Sequence, residues 1–493
     1  MALASALVLV AAAFLVYAIV GACVNYRRLR QFGGPFLAGC SRAWLFWQSC
    51  RARVHEAQFD AIKENGSVAR IGPNLLVTND ADIVRHLNAP GSRWRRSEWY
   101  NGVKLDPRQD TVFSTRDEHV HATLRSKESG AYNGRDIDTL EPTIDERVVE
   151  LIELIRREYR GRDMDLAAVV RFFTLDVLSS VAFGRPFGFM AANKDLWKYD
   201  EKTSQFTLVL EWAVNHRFFR AILQSSLMQH LTAPKETDRV GMGPLLAIAR
   251  GSVAERYVQA GQKQPKVVKN DMLGHFVSHG LTQLQSEAEA FLQIIAGSDS
   301  TSTVLRITLF LLIGTPVAYN ILRAEVDAAA ADVSYPVISY NEAQRLPFLS
   351  ACLWEGLRMY PPLFGLKSKV APPGGDTIKG YYFPAGTEVA TCDSALCRNP
   401  EIFGEDAHLF RPERWINTSP ETRIRYKRTV DTVFGSGRFL CLGRHIAMME
   451  LHKALYELMR NFEWAIVDPL KGINSHAHNV HIQSNMNIVA TLR

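Results

Sequence analysis

A chain of 493 residues, 47% hydrophobic and 22% charged, has the balance of a globular protein and ample material for a core. Its net charge of +6 suits an acidic partner or an anionic membrane surface and is no nucleic-acid signature. Seven scattered cysteines (Cys23, Cys40, Cys50, Cys352, Cys392, Cys397 and Cys441) with no CxxC pair exclude a disulfide scaffold and a zinc ribbon.

The chain opens on MALASALVLVAAAFLVYAIVGACVNY, residues 1–26, with no charged side chain. The run is long enough to cross a bilayer core. Arg27, Arg28 and Arg30 follow it, and no basic region precedes it. An uncleaved single anchor fits better than a signal peptide, with the remainder on the cytosolic side. Residues 27–493 read as one large domain behind a short FGGPF connector, with no repeat and no low-complexity run.

The body is mostly α with small β-sheets. SVARIGPNLLVTN has strand character. Glu141–Arg160 keeps helical spacing. Residues 285–314 predict a very long helix stopped by Gly314 and Pro316. Within it, the seven poor helix formers 297–303 cost about 4 kcal/mol against alanine. They read either as a loop splitting two helices or as one helix opened by a groove, with an acid facing a buried site. Residues 347–360 predict another helix, stopped by Pro361 and Pro362. Thr377–Thr391 predicts a hairpin turning at Pro384-Ala385-Gly386.

Near the C-terminus stands FGSGRFLCLG, residues 434–443, with a helical pattern behind it. Cys441 therefore lies at a helix N-terminus, where the helix dipole and free amides lower a thiol's pKa. Gly435 and Gly437 mark a bend or a close approach. Arg438 offers charge to an anion. Taken alone, such a cysteine is a nucleophile, a redox sensor, a metal ligand or a buried turn residue.

The stretch resembles the haem-binding signature F-x-x-G-x-R-x-C-x-G of the cytochrome P450 family. Phe434, Gly437, Cys441 and Gly443 fall on that pattern, while Phe439 stands in the arginine place and Arg438 precedes it. The resemblance implies the cytochrome P450 fold, haem b, and Cys441 as the proximal thiolate on its iron. Glu355 and Arg358 match the family's E-x-x-R helix. Arg414, in FRPERW, would complete a cluster that locks the cysteine loop, a structural role. Ala296-Gly297-Ser298-Asp299-Ser300-Thr301 resembles [AG]-G-x-[DE]-T-[TS]. It implies that Asp299 and Ser300, with Thr301 adjacent, relay protons, and that Ala296 and Gly297 leave room above the haem. His121 and Arg125 stand in the places of W-x-x-x-R and imply haem propionate partners. Lys369 is a further propionate candidate.

The same resemblance implies a monooxygenase that inserts one atom of O2 into a small molecule. No dinucleotide fingerprint occurs, so electrons would come from NADPH-cytochrome P450 reductase, with cytochrome b5 as an additional donor. Arg423, Arg425, Lys427 and Arg428 would meet the reductase. The GRFLCLG form and HATLRSK…YNGRD resemble fungal members that tailor secondary metabolites. Substrate contacts would come from residues before Glu118, residues 205–243, the long helix, and loops after Pro362 and near Ser475. These are apolar to mixed and suit a lipophilic substrate. The implied place is the endoplasmic reticulum membrane, single-pass, with no nucleic-acid partner. A haem-thiolate isomerase or dehydratase, and a non-catalytic haem carrier or sensor, are the rival readings. Retention of Asp299 and Ser300 argues against both.

Overall fold

The helix Gln283–Ile313 runs without a break through the middle of the protein. The computed structural model describes residues 2–260 and 270–493, so Met1 of the expected anchor lies outside the described residues. A capping box between Thr282 and Gln285 starts this helix, and Gly314 caps its end ahead of Pro316. The Gly-Ser-Asp-Ser-Thr run does not split it, which removes the loop reading. Its hydroxyls turn back onto the helix: Ser298 Oγ donates to the Ile294 carbonyl at 2.9 Å, and Ser300 Oγ to the Ala296 carbonyl at 2.8 Å. Each of these hydroxyls is thereby satisfied locally, which offsets part of the propensity cost. The apolar Leu166–Phe183 helix packs along it. A Cβ at Gly297 would come within 2.9 Å of Leu178 Cδ1. The missing side chain at Gly297 therefore admits the close approach of this neighbouring helix.

Two further helices complete the frame near the site. Leu140–Glu158 buries Ile144, Val148, Leu151 and Ile155 at helical spacing. Pro347–Met359 starts with proline in its first turn, where the missing N–H is not needed. It crosses the long helix closely, since a Cβ at Gly356 would lie 1.9 Å from Thr308 Oγ1.

The sheets are small. The largest runs in the order Val68–Gly72, Leu75–Thr78, Glu388–Thr391, Lys369–Val370, Arg95–Arg96, with one parallel pair, Leu75–Thr78 beside Glu388–Thr391. Asp163–Asp165, Asn487–Leu492 and Phe462–Ile466 make a second sheet. The expected hairpin is divided. Asp376–Ile378 pairs with Tyr381–Phe383, turning at Lys379 and Gly380, both at positive φ. Those two residues form the tight turn whose twist matches a hairpin. Pro384–Gly386 is instead the corner where the chain leaves for the large sheet.

At the N-terminal end, Ala2–Arg28 is one helix of 27 residues, about 40 Å long at 1.5 Å per residue. Its last turn is docked on the body. Arg70 donates to the carbonyls of Asn25 and Tyr26 at 3.0 and 3.2 Å, and Arg28 reaches Asn74 and Thr387. Among the described residues, the helix long and apolar enough to cross a membrane is Leu166–Phe183, and 89% of it is buried in the core.

Candidate active site: a cysteine loop and a cation cluster

Residues 434–443 form a tight loop ahead of the helix Arg444–Asn461. The Cys441 amide donates to the Phe434 carbonyl at 2.6 Å and closes it. Gly435 (φ 78°) and Gly437 (φ 59°) supply the left-handed backbone. Added Cβ atoms there would sit 2.6 Å from the Phe439 carbonyl oxygen and 2.3 Å from that of Asn88. All seven cysteines are free; Cys352, Cys392 and Cys397 are buried, while Cys441 is exposed. Although the residue is open to solvent, the protein crowded around the loop desolvates the Cys441 thiol and pushes its pKa up, against the pull of the Gly443 and Arg444 amides and of Arg125. The amides at the helix start do pull this pKa down, but they do not outweigh desolvation. A metal cation on the sulfur would supply what the amides do not.

On the long helix, exposure singles out one turn. Ala296 is exposed and Gly297 and Ser300 are half-buried, while Ser298, Asp299 and Thr301 are buried. Asp299 does not reach the Ser300 hydroxyl, which is held by the Ala296 carbonyl. Its carboxylate pairs with Arg171 at 3.4 Å, and Arg171 also pairs with Asp200. Burial raises the Asp299 pKa, while Arg171 and Arg306 oppose it. Arg306, pushed down to about 9 by burial, is tied to Gln483 at 2.7 Å and to the His481 carbonyl at 3.2 Å. The acid and the hydroxyl are thus neighbours in sequence that bind different partners.

The cations converge elsewhere. Lys369 and Arg96 are direct cross-strand partners, 3% and 5% exposed. Like charges opposite one another on two strands repel. Phe439 lies between them: Lys369 Nζ is 3.3 Å from its ring centroid, the Arg96 guanidinium 4.4 Å and that of Arg438 5.0 Å. The His121 ring packs on Phe439 at 4.9 Å. The family pattern sets an aromatic ring on the helix and a cation on the loop. Here the polar ring is on the helix and the aromatic on the loop.

Arg125 donates to the Leu440 carbonyl at 2.7 Å, beside the cysteine. Arg438 is paired with Glu118 at 2.7 Å. Burial and the neighbouring cations push Lys369 down to about 6 and His121 to about 3. Among the described residues, Lys369 Nζ, Arg96 Nε and Arg438 Nε are buried without a hydrogen-bond partner. Crowded cations with donors left unpaired, Lys369 above all, are the signature of a site for an anion. A haem carries two propionates and an iron that takes a thiolate, so these residues fit it. Arg96 was not among the sequence candidates. Its signal was the arginine-rich SRWRRS stretch, but its pairing with Lys369 is a tertiary fact.

Glu355, Arg358 and Arg414 meet in the core. Arg358 grips Glu355 at 2.7 and 2.8 Å, and Arg414 reaches it at 3.0 Å. Trp415 Nε1 adds 2.9 Å to the same carboxylate. The arginines also bond the carbonyls of Cys397, Phe403, Asp406, Ala407 and Leu409. The cluster therefore grips residues 397–415, not the cysteine loop itself. The link onward is aromatic: Trp415 packs on Trp354, and Arg444 sits over Trp354 and pairs with Asp431 at 2.8 Å.

Comparison with known proteins agrees with this geometry. The family model described as Cytochrome P450 matches residues 46–484. Cytochrome P450 monooxygenase ABA1 of Pyricularia oryzae (strain 70-15) is 36% identical over 97% of this chain and 95% of its own length. Cytochrome P450 monooxygenase aba1 of Botryotinia fuckeliana is 33% identical over 94% and 92%. Cytochrome P450 monooxygenase pkfB of Emericella nidulans is 29% identical over 92% and 90%. The chain belongs to the cytochrome P450 family and is a haem-thiolate monooxygenase with haem b as its cofactor.

Proposed function

We propose that this monooxygenase is anchored in the endoplasmic reticulum membrane by residues 1–26, with residues 27–493 as its cytosolic catalytic domain. It acts on a lipophilic small molecule, an intermediate of secondary metabolism, with electrons from NADPH-cytochrome P450 reductase and cytochrome b5 as an additional donor. The observation that carries the reading is the pairing of a loop cysteine, Cys441, with the anion-seeking cluster around Phe439. Relatives named as fungal monooxygenases over nearly their full length support it.

Bound haem supplies the activation of O2, one atom passing to substrate and the other to water. Cys441 would hold the iron, and Lys369, Arg96, Arg125, His121 and Arg438 would be the partners available to the propionates. Gly437, Gly443 and Phe434 shape the loop, and the exposed Ala296 leaves space on the long helix. Glu355, Arg358 and Arg414 hold residues 397–415 in place. Asp299, the Ser300 hydroxyl and Thr301 move the proton. For this, the Asp299 carboxyl leaves Arg171 for Ser300, or hands its proton on through water. The 27-residue N-terminal helix supports the anchor. So do Phe218, Leu227 and Leu231, which are 71, 69 and 64% exposed on short helices of the same chain. The exposed cations Arg423, Arg425, Lys427 and Arg428 on the helix Pro420–Val430 suit an acidic reductase face.

The test is reconstitution with NADPH and reductase on a metabolite extract. Product should require both, and Ser300→Ala should raise hydrogen peroxide per NADPH by up to about a hundredfold relative to product. Unchanged coupling in Ser300→Ala with loss in Thr301→Ala moves the relay by one residue. Turnover without NADPH contradicts the reading. A truncation of residues 1–20, which spares the docked Asn25–Arg28 turn, should leave membranes with its haem retained.

A further inference from the structure

Three side chains that no step above uses come together: Asp136, His275 and His279. One ligand-type atom of each lies within 4.8 Å of those of the others. His275 Nδ1 is 3.7 Å from Asp136 Oδ2, and the two imidazole rings stack at 3.7 Å. Backbone carbonyls fix both tautomers, because a carbonyl only accepts. His275 Nε2 lies 3.1 Å from the Lys127 carbonyl, so Nε2 carries the hydrogen and Nδ1 presents its lone pair beside Asp136. His279 Nδ1 lies 3.0 Å from the His275 carbonyl, which leaves Nε2 as its acceptor. Ser278 Oγ also contacts His279 Nδ1, at 3.1 Å, and Lys127 Nζ is held by the Gly280 carbonyl at 2.7 Å. Each imidazole thus spends its donor on the backbone and keeps one lone pair, that of His275 lying beside a carboxylate. A metal-bound histidine is oriented in the same way, by the hydrogen bond of its other nitrogen.

A separate observation comes from the helix Glu118–Tyr132. Gly130 stands inside it, where glycine is a poor helix former. A Cβ there would lie 1.9 Å from Asp136 Oδ2 and 2.6 Å from His275 Cε1. The missing side chain is what lets the carboxylate and the imidazole meet. Tetrahedral zinc with ligands at about 2.1 Å places its ligand atoms about 3.4 Å apart, close to the 3.7 Å found between His275 and Asp136. His275 is buried, while Asp136 and His279 are exposed and free to close the remaining gap.

We propose that Asp136, His275 and His279 form a binding site for a divalent d-block cation of the zinc class, with water in the fourth position. Nitrogen and carboxylate donors suit such a cation and not magnesium or calcium. Occupancy ties the chain just beyond the helix bearing His121 and Arg125 to the helix Met272–Ser278.

The test uses full-length, haem-loaded protein titrated with Zn2+ against a chromogenic chelator, with the thermal midpoint read alongside. Asp136→Asn and His279→Ala change exposed side chains, and His230→Ala serves as a surface control. Wild type and His230→Ala should take up one Zn2+ more than His279→Ala and gain thermal midpoint, while Mg2+ gives neither. Losing a ligand should weaken zinc by more than the roughly 10–100-fold typical of outer-shell changes. Equal zinc affinity in wild type, Asp136→Asn and His279→Ala overturns the proposal, as does no zinc uptake by wild type.

Discussion

Lys369 and Arg96 face each other across an antiparallel pair, buried, with an aromatic ring between them. A cation over an aromatic face is attracted, but two cations so placed still repel. Two propionates placed here, as proposed, would relieve that repulsion and restore the Lys369 charge that burial suppresses. A charged hydrogen bond contributes about 1.5–3 kcal/mol. Lys369→Met and Arg96→Met should therefore each release haem to an apoglobin acceptor about tenfold to a hundredfold faster than wild type. Arg438→Ala should have the smaller effect, because Glu118 already satisfies much of its charge. Equal rates in all three variants would place the propionates elsewhere.

The helices meet through small residues and buried acids. Gly356 lies where Pro347–Met359 crosses the long helix, and an added Cβ would strike Thr308 Oγ1 and come within 3.0 Å of Thr308 Cβ. Gly356→Ala should destabilise the fold by about 1–3 kcal/mol despite the better helix propensity, measured by denaturant unfolding. It should also loosen the Glu355–Arg358 grip beside it. Glu128 and Glu289, on two different helices, bury their carboxyls against each other. Among the described residues Glu128 meets no hydrogen-bonding group other than the neighbouring acid, and Glu289 accepts from the Val112 amide at 2.6 Å. Burial holds Glu289 up at about 8, against an ordinary value of 4.5. Below about 4.5 both states are protonated. Between 4.5 and 8 the unfolded chain has released this proton and the folded one has not, so stability falls as pH rises through that window. Glu289→Gln should flatten that fall and gain stability over wild type near pH 8. An unchanged pH slope would show that the acid titrates normally.

Across the whole molecule, what the sequence disclosed was local. The cysteine stretch and the Gly314 stop are short-range patterns, and each appears where its residues placed it. Partnerships between distant segments were not legible. Nothing near Asp299 signals that Arg171, on another helix, takes its carboxylate away from Ser300. Nothing near Arg96 names Lys369. The hairpin turn was misassigned because Pro-Ala-Gly outweighed the Lys379-Gly380 pair, whose positive φ values set the turn. The departure at Phe439 was visible in sequence, but its meaning required the His121 ring and the surrounding cations. The central claim, that Cys441 is the iron ligand of a bound haem, is tested most directly by the carbon monoxide difference spectrum of the reduced protein. Wild type should give the thiolate-type spectrum, and Cys441→Ala should lose it while Cys397→Ala keeps it. A thiolate-type spectrum surviving in Cys441→Ala would contradict the account.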